Sequence, residues 1–222
     1  MPSYKKHILF ALIMVLPFFP DVFYLSLAVI GTSIIDFDHL LKIKSLFIMG
    51  LMGILLTFLL YLLKLPLILG LLLIFLALIF LVCKDRGFMH SVFGVTLTSV
   101  ILTLFIIGSY FLIFNFTSNR LAILIVIISF LGFLSLNKKL VAPFIVLVVV
   151  GMLLLPVPDV NLYSIFGALF LGFLSHITLD LFTPSGVAIL NPLSKRKYHK
   201  ITGLVILGVW VLFVGINFLH IT

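Results

Sequence analysis

Six histidines and six aspartates make up the imidazole and carboxylate inventory of this chain, which contains no glutamate. Most of them fall into three short clusters. The first is Asp36-Phe37-Asp38-His39, the second is Asp85-Arg86-Gly87-Phe88-Met89-His90-Ser91, and the third is His176 with Asp180. With His7 near the N-terminus, these places hold four of the six His and four of the six Asp. Residues at i and i+4 stand on one side of a helix a turn apart, so His176 and Asp180 could bind one ion together. Asp36 and His39, at i and i+3, would be aligned by a helix end in the same way, leaving Asp38 directed elsewhere or to a second ion. His90 is expected to open a helix, where free amides and the positive dipole end favour a phosphate or hydroxide. Nitrogen plus carboxylate ligands suit Zn²⁺, Mn²⁺ or Fe²⁺ better than Ca²⁺ or Mg²⁺. A bound ion can lower the pKa of its water from about 15.7 to about 7, which supplies a nucleophile.

Each cluster also has a plainer reading. His176 and Asp180 could be a buried hydrogen-bonded pair, and Asp36 to His39 a capped helix end among headgroups. His7 could be a solvated interfacial residue beside Lys5 and Lys6. The run Lys195-Arg196-Lys197-Tyr198-His199-Lys200 is most simply a positive-inside anchor, with phosphate binding as a second use. Thr183-Pro184-Ser185-Gly186 reads as a turn that ends a helix. Coincidence favours chemistry: three separated acid and imidazole groups share one face of a chain otherwise poor in both.

The elements that must position these residues follow from composition. The 222 residues are 64% hydrophobic and only 9% charged, with a mean hydropathy of +1.46. A soluble domain carries about 25% charged residues, so the chain belongs in a bilayer. A helix needs roughly 20 apolar residues to cross the hydrocarbon, within a range of about 17–25. Runs that fit or nearly fit lie at 45–63, 65–83, 91–114, 121–136, 140–155, 162–182 and 201–219. They do not alternate in polarity as barrel strands must. The expected fold is therefore all-α: one polytopic transmembrane bundle of about eight or nine helices, with residues 1–222 as a single membrane domain. The lone Cys83 sits in an apolar run and is read as inert packing.

Residues 8–35 admit two readings, one long span interrupted by prolines or a hairpin of helices 6–16 and 22–35 turning at Pro17–Asp21. The stretch after Lys5 and Lys6 resembles a signal peptide but lacks a small-residue cleavage site, so it is read as retained. Charge favours the hairpin. If the later runs each cross once, Lys42, Lys44, Lys84, Arg86, Lys138, Lys139, Lys195, Arg196, Lys197 and Lys200 share a face. Lys64 and Arg120 lie on the other. A hairpin adds Lys5 and Lys6 to the basic face, giving twelve against two, whereas one span gives ten against four. The basic, motif-bearing face is expected to be cytoplasmic. The net charge of +8 is thus accounted for by orientation and lipid headgroups, with membrane lipid as the expected partner and no nucleic acid.

Several membrane hydrolases are excluded. Without Glu there is no His-Glu-x-x-His zinc protease and no glutamate-based prenyl-peptide protease, and no Gly-x-Ser-x-Gly supplies a serine nucleophile. His176-x-x-x-Asp180 is similar to the last motif of lipid-phosphate phosphatases, but those need Pro-Ser-Gly-His before it. Here Pro184-Ser185-Gly186 comes after it and lacks the His.

In order along the chain, the clusters resemble the membrane-bound metal-dependent hydrolase family, inner-membrane proteins of which some are described as LexA-binding. That family has an N-terminal His, Pro-Asp-Ile-Asp-His, Arg-Gly-x-Thr-His-Ser, and His-x-x-x-Asp-x-x-Thr-x-x-Gly followed by Pro. The matches are His7, Asp36-Phe37-Asp38-His39, Arg86 to Ser91, and His176, Asp180, Thr183 and Gly186 with Pro192 beyond. Ile35 replaces the usual Pro and Met89 the usual Thr; neither change removes a candidate ligand. The resemblance implies a metal-dependent hydrolase with some similarity to zinc-dependent phospholipases C. On this reading His7, Asp36, Asp38, His39, His90, His176 and Asp180 hold one or two divalent ions, Zn or Mn. Asp38 or His39 is the general base. Arg86 acts with Lys195, Arg196 and Lys197 to attract a lipid phosphate at the cytoplasmic leaflet, and Asp85, Ser91 and Thr183 support the ligands. The competing readings are a cation or proton transporter using the same groups and a non-catalytic membrane regulator with a structural metal. The nearly unbroken apolar runs away from the basic face favour a one-sided site over a pathway.

Overall fold

In the computed structural model, which describes residues 3–35, 43–82 and 87–221, the apolar runs are helices. The elements are α1 (Tyr4–Val15), α2 (Val22–Ile34), α3 (Ile43–Leu62), α4 (Ile68–Val82) and α5 (Val92–Phe114). They continue with α6 (Arg120–Ser135), α7 (Lys138–Leu154), α8 (Leu162–Asp180) and α9 (Lys200–Ile221). Among the described residues there is no strand; a single antiparallel bridge joins Val187 to Tyr198 in the loop between α8 and α9. Three helices are long and apolar enough to cross a membrane: Val92–Phe114, Leu162–Asp180 and Lys200–Leu219. One helix falls well short of its apolar run. α4 has 15 residues, about 22 Å at 1.5 Å per residue, because Leu65, Pro66 and Leu67 go into the turn before it.

Residues 4–34 form a hairpin of two short helices. Pro17 and Pro20 interrupt helix propagation, and Asp21 in extended conformation starts α2. The Tyr4 hydroxyl donates to Ser33 Oγ at 2.7 Å, tying the start of α1 to the end of α2. His7 therefore returns to the level of the C-terminal end of α2.

α2 and α8 form the centre of the bundle. Every residue of α2 from Ser26 to Ile34 is buried. The pair approaches closely because Gly31 and Gly172 face the opposing backbone. A Cβ at Gly31 would stand 2.8 Å from the Leu169 carbonyl oxygen, and one at Gly172 would meet the Ala28 backbone, with its Cα at 2.8 Å. α1 and α5 pack on α8, the α6–α7 pair on α2, and α4 joins the α3–α4 hairpin to α5. α9 lies at the periphery.

Large apolar side chains cover the outside: Phe47, Leu154 and Ile201 are 73%, 78% and 80% exposed. A helix apolar on its outer as well as its inner face has no surface that suits water. Several buried hydroxyls bond within their own helical turns, as Ser33 Oγ on Val29 O at 2.6 Å and Thr103 Oγ1 on Ser99 O at 2.7 Å illustrate.

Candidate metal centre

Four elements end at one place. α1 brings His7 near its start, the turn before α5 brings His90, and the last turn of α8 brings His176 and Asp180. The end of α2 supplies a backbone carbonyl. His7, His90, His176 and Asp180 are 3%, 3%, 1% and 4% exposed. Burying a carboxylate this deeply is costly unless it is paired or ligates a metal.

The three imidazoles surround the Asp180 carboxylate. His7 Nε2 lies 3.7 Å from Oδ1, while His90 Nε2 and His176 Nε2 each lie 3.6 Å from Oδ2. The rings of His7 and His176 stack at 3.9 Å and 17°, and His90 meets His176 edge-on at 5.7 Å. These N to O distances exceed the 2.7–3.2 Å range typical of N–H···O hydrogen bonds. Two ligands of a tetrahedral ion with bonds of about 2.0–2.2 Å stand about 3.3–3.6 Å apart, close to the spacing found. The ligand atoms of His7, His176 and Asp180 all lie within 4.8 Å of one another. The donor set of His7, His176 and Asp180, with its spacing, fits one divalent ion, and His90 stands beside it.

One backbone contact fixes the chemistry of His176. Its Nδ1 lies 2.8 Å from the Thr32 carbonyl oxygen. A carbonyl only accepts, so Nδ1 carries the proton and Nε2 turns its lone pair toward Asp180. Metal-ligating histidines are commonly oriented by such a bond through the second ring nitrogen. The close approach of α2 to α8 through Gly31 and Gly172 brings Thr32 within reach. Neither Thr32 nor the glycines stand out in the sequence; a backbone carbonyl carries no residue signal.

The flanking residues play different parts from those expected of them. α5 begins at Val92, with Ser91 as its N-cap, so His90 lies in the preceding turn and does not open the helix. Ser91 Oγ accepts from Gly94 N at 3.1 Å and donates to Phe88 O at 2.6 Å. An amide expected to face an anion is therefore taken by the cap, and Ser91 fixes the turn that aims His90. Thr183 Oγ1 donates to the Asp180 backbone carbonyl at 2.6 Å and pairs with Ser185 Oγ at 2.9 Å. It closes the end of α8 and bonds the backbone of Asp180, not its carboxylate. Met89 is fully buried, with the Thr98 hydroxyl directed at its sulfur at 3.8 Å.

Lys195, Arg196 and Lys197 are exposed on the loop that follows α8. The Arg196 guanidinium lies over the Tyr198 ring at 5.9 Å. This loop is tied to the site's end of the bundle, since Val92 N donates to Ile189 O at 2.9 Å. Asp36, Asp38, His39, Asp85 and Arg86 lie outside the described residues. The structure thus brings together His7, His90, His176 and Asp180 out of the seven ligands expected. Compared with known proteins, the chain matches no protein-family model, no curated protein and no solved structure.

Proposed function

We propose that this chain is a multi-pass membrane hydrolase that uses a divalent ion, Zn or Mn, to cleave a phosphate-bearing lipid at the cytoplasmic leaflet. One observation carries the reading. Three buried imidazoles, from three separate places in the chain, meet one buried carboxylate at 3.6–3.7 Å. A bound ion would supply Lewis-acid activation of water and of a phosphoryl oxygen.

The chain's own residues do the rest. The Thr32 carbonyl orients His176, and the Asp180 carboxylate offsets part of the ion's charge. Apolar neighbours on α2 and α8 keep bulk water out, which strengthens each polar contact in the site. Asp38 or His39 takes the proton of the attacking water, and Arg86 with Lys195, Arg196 and Lys197 attracts the phosphate. The membrane-bound metal-dependent hydrolase resemblance supports the same assignment through the order of its motifs. Its reach to a second ion depends on Asp36 and Asp38.

Two experiments test the reading. Single cysteines at positions 3 and 220 should label from opposite sides of the membrane, because the charge bias puts the N-terminus with the basic loops and the C-terminus opposite. Labelling from one side only would reject the proposed topology. Metal-analysed, detergent-purified protein should then release product from mixed phospholipids or polyprenyl phosphates when Zn²⁺ or Mn²⁺ is present. Replacing Lys195, Arg196 and Lys197 together by Gln should raise KM for the anionic lipid about a hundredfold with less effect on kcat. Each basic group near an anionic surface contributes about 1 kcal/mol, and uniform binding acts on KM. If the wild type releases nothing from any lipid but carries a cation flux in proteoliposomes, the transporter reading replaces the hydrolase.

A further inference from the structure

α9 is held to the bundle in an unusual way. It packs sparsely against α8, and most of its residues from Ile201 to Leu219 are exposed. Two polar latches fasten it instead. Trp210 Nε1 donates to the Met14 carbonyl at 2.9 Å, and Asn217 Nδ2 donates to the Pro17 carbonyl at 2.9 Å. Both acceptors belong to the end of α1 and the turn after it, where helical carbonyls have lost their own partners.

The latches hold α9 off α8 and leave a groove of about 470 Å³ between α1, α8 and α9. Phe18, Gly167 and Phe213 line it towards the hairpin turn, Trp210 its middle, and Leu174 and Val205 its other end. From Gly167 to Leu174 the wall rises about 10 Å along α8. Leu174 is two residues before His176, and Val205 is five residues after Lys200. The groove therefore runs from the lipid-facing interior toward the end that carries both the His and Asp cluster and the exposed basic loop. Its size falls within the range of about 300–1,000 Å³ usual for ligand sites. An apolar cleft open to lipid has no stable empty state in a bilayer, since hydrocarbon chains are its solvent.

We infer that this groove seats one acyl chain of an anionic phospholipid, placing its phosphate between the Lys195–Lys197 loop and the His7, His90, His176, Asp180 cluster. The apolar lining of the groove and the exposed basic loop between α8 and α9 select that occupant over a peptide or a second helix. A partner helix would need the long exposed stripe of α9, whereas the groove lies between α8 and α9 and extends only about 10 Å along α8. The inference deepens the proposed hydrolase reading and rests on it only in calling the lipid a substrate. Occupancy itself requires neither metal nor turnover.

The chain's single tryptophan, Trp210, lines the groove and reports on its contents. Full-length protein in detergent micelles is titrated with phosphatidylglycerol brominated on one acyl chain, and Trp210 fluorescence is followed. Quenching should saturate and reverse on adding unbrominated phosphatidylglycerol. Brominated phosphatidylcholine should need about tenfold more lipid, as expected for loss of net attraction to the basic loop. Leu171→Phe, which thickens the groove wall, should weaken the saturable phase about tenfold, while Val150→Phe on the outer face of α7 should leave it unchanged. Quenching that grows linearly with bromine content, or that is the same in Leu171→Phe and wild type, shows annular lipid only and overturns the inference. Should Leu171→Phe fail to fold, competition by unbrominated lipid in the wild type decides alone. Saturable quenching without any hydrolysis would keep the groove and sink the enzyme, and hydrolysis without saturable quenching would do the reverse.

Discussion

On the proposed metal-hydrolase reading, replacing Asp180 with Asn should strip metal from the purified protein and lower lipid hydrolysis by more than about a hundredfold. The carboxylate is the common neighbour of His7, His90 and His176, at 3.6–3.7 Å from each Nε2. An amide of the same shape keeps the packing but removes the anion that offsets the ion's charge. Disturbing residues that only support metal ligands costs about 10–100-fold, so loss of a central ligand should exceed that. Stability of the metal-free protein should fall far less than metal binding, because an amide of the same shape keeps the packing and avoids burying a charge at a side chain only 4% exposed. The pair of readouts separates the roles: elemental analysis for metal, thermal melting for fold. An Asn variant that retains a full complement of Zn or Mn would remove Asp180 from the centre.

How much of this centre was legible depended on rarity. His176 and Asp180 stood out because a chain this apolar has so few ionisable groups, and intramembrane examples are costly enough to need a reason. His7 was legible only through the hairpin, which the charge bias and the prolines at 17 and 20 suggested together. The hairpin puts Tyr4 against Ser33, and His7 with it. What could not be read was backbone. The Thr32 carbonyl that orients His176 belongs to the helix end and would be there with another side chain. His90 was misplaced by a single residue-level detail: Ser91, the better cap, takes the N-terminal position of α5. Span counting also outran the structure. Leu65, Pro66 and Leu67 serve a turn as well as a membrane, so the run at 65–83 overestimates the length of α4.

The second large effect is expected at Gly172, eight residues from the carboxylate. Here α8 lies so close to α2 that an added Cβ would meet Ala28, with its backbone Cα at 2.8 Å. Backbone cannot swing aside as a side-chain tip can. Gly172→Leu must therefore push the two central helices apart, an overpacking that costs about 1–3 kcal/mol or more. The same displacement withdraws the Thr32 carbonyl from His176 Nδ1, now at 2.8 Å. His176 would lose the bond that fixes its tautomer and its aim, and metal affinity should fall about 10–100-fold. Gly215→Leu supplies the control, since a Cβ there has nothing within 4 Å; it should melt no lower than wild type, because Leu is the better helix former. Metal titration and melting of the two variants separate steric position from glycine content. A Gly172→Leu protein with native melting and native metal affinity would show that α2 and α8 need not touch for the centre to form.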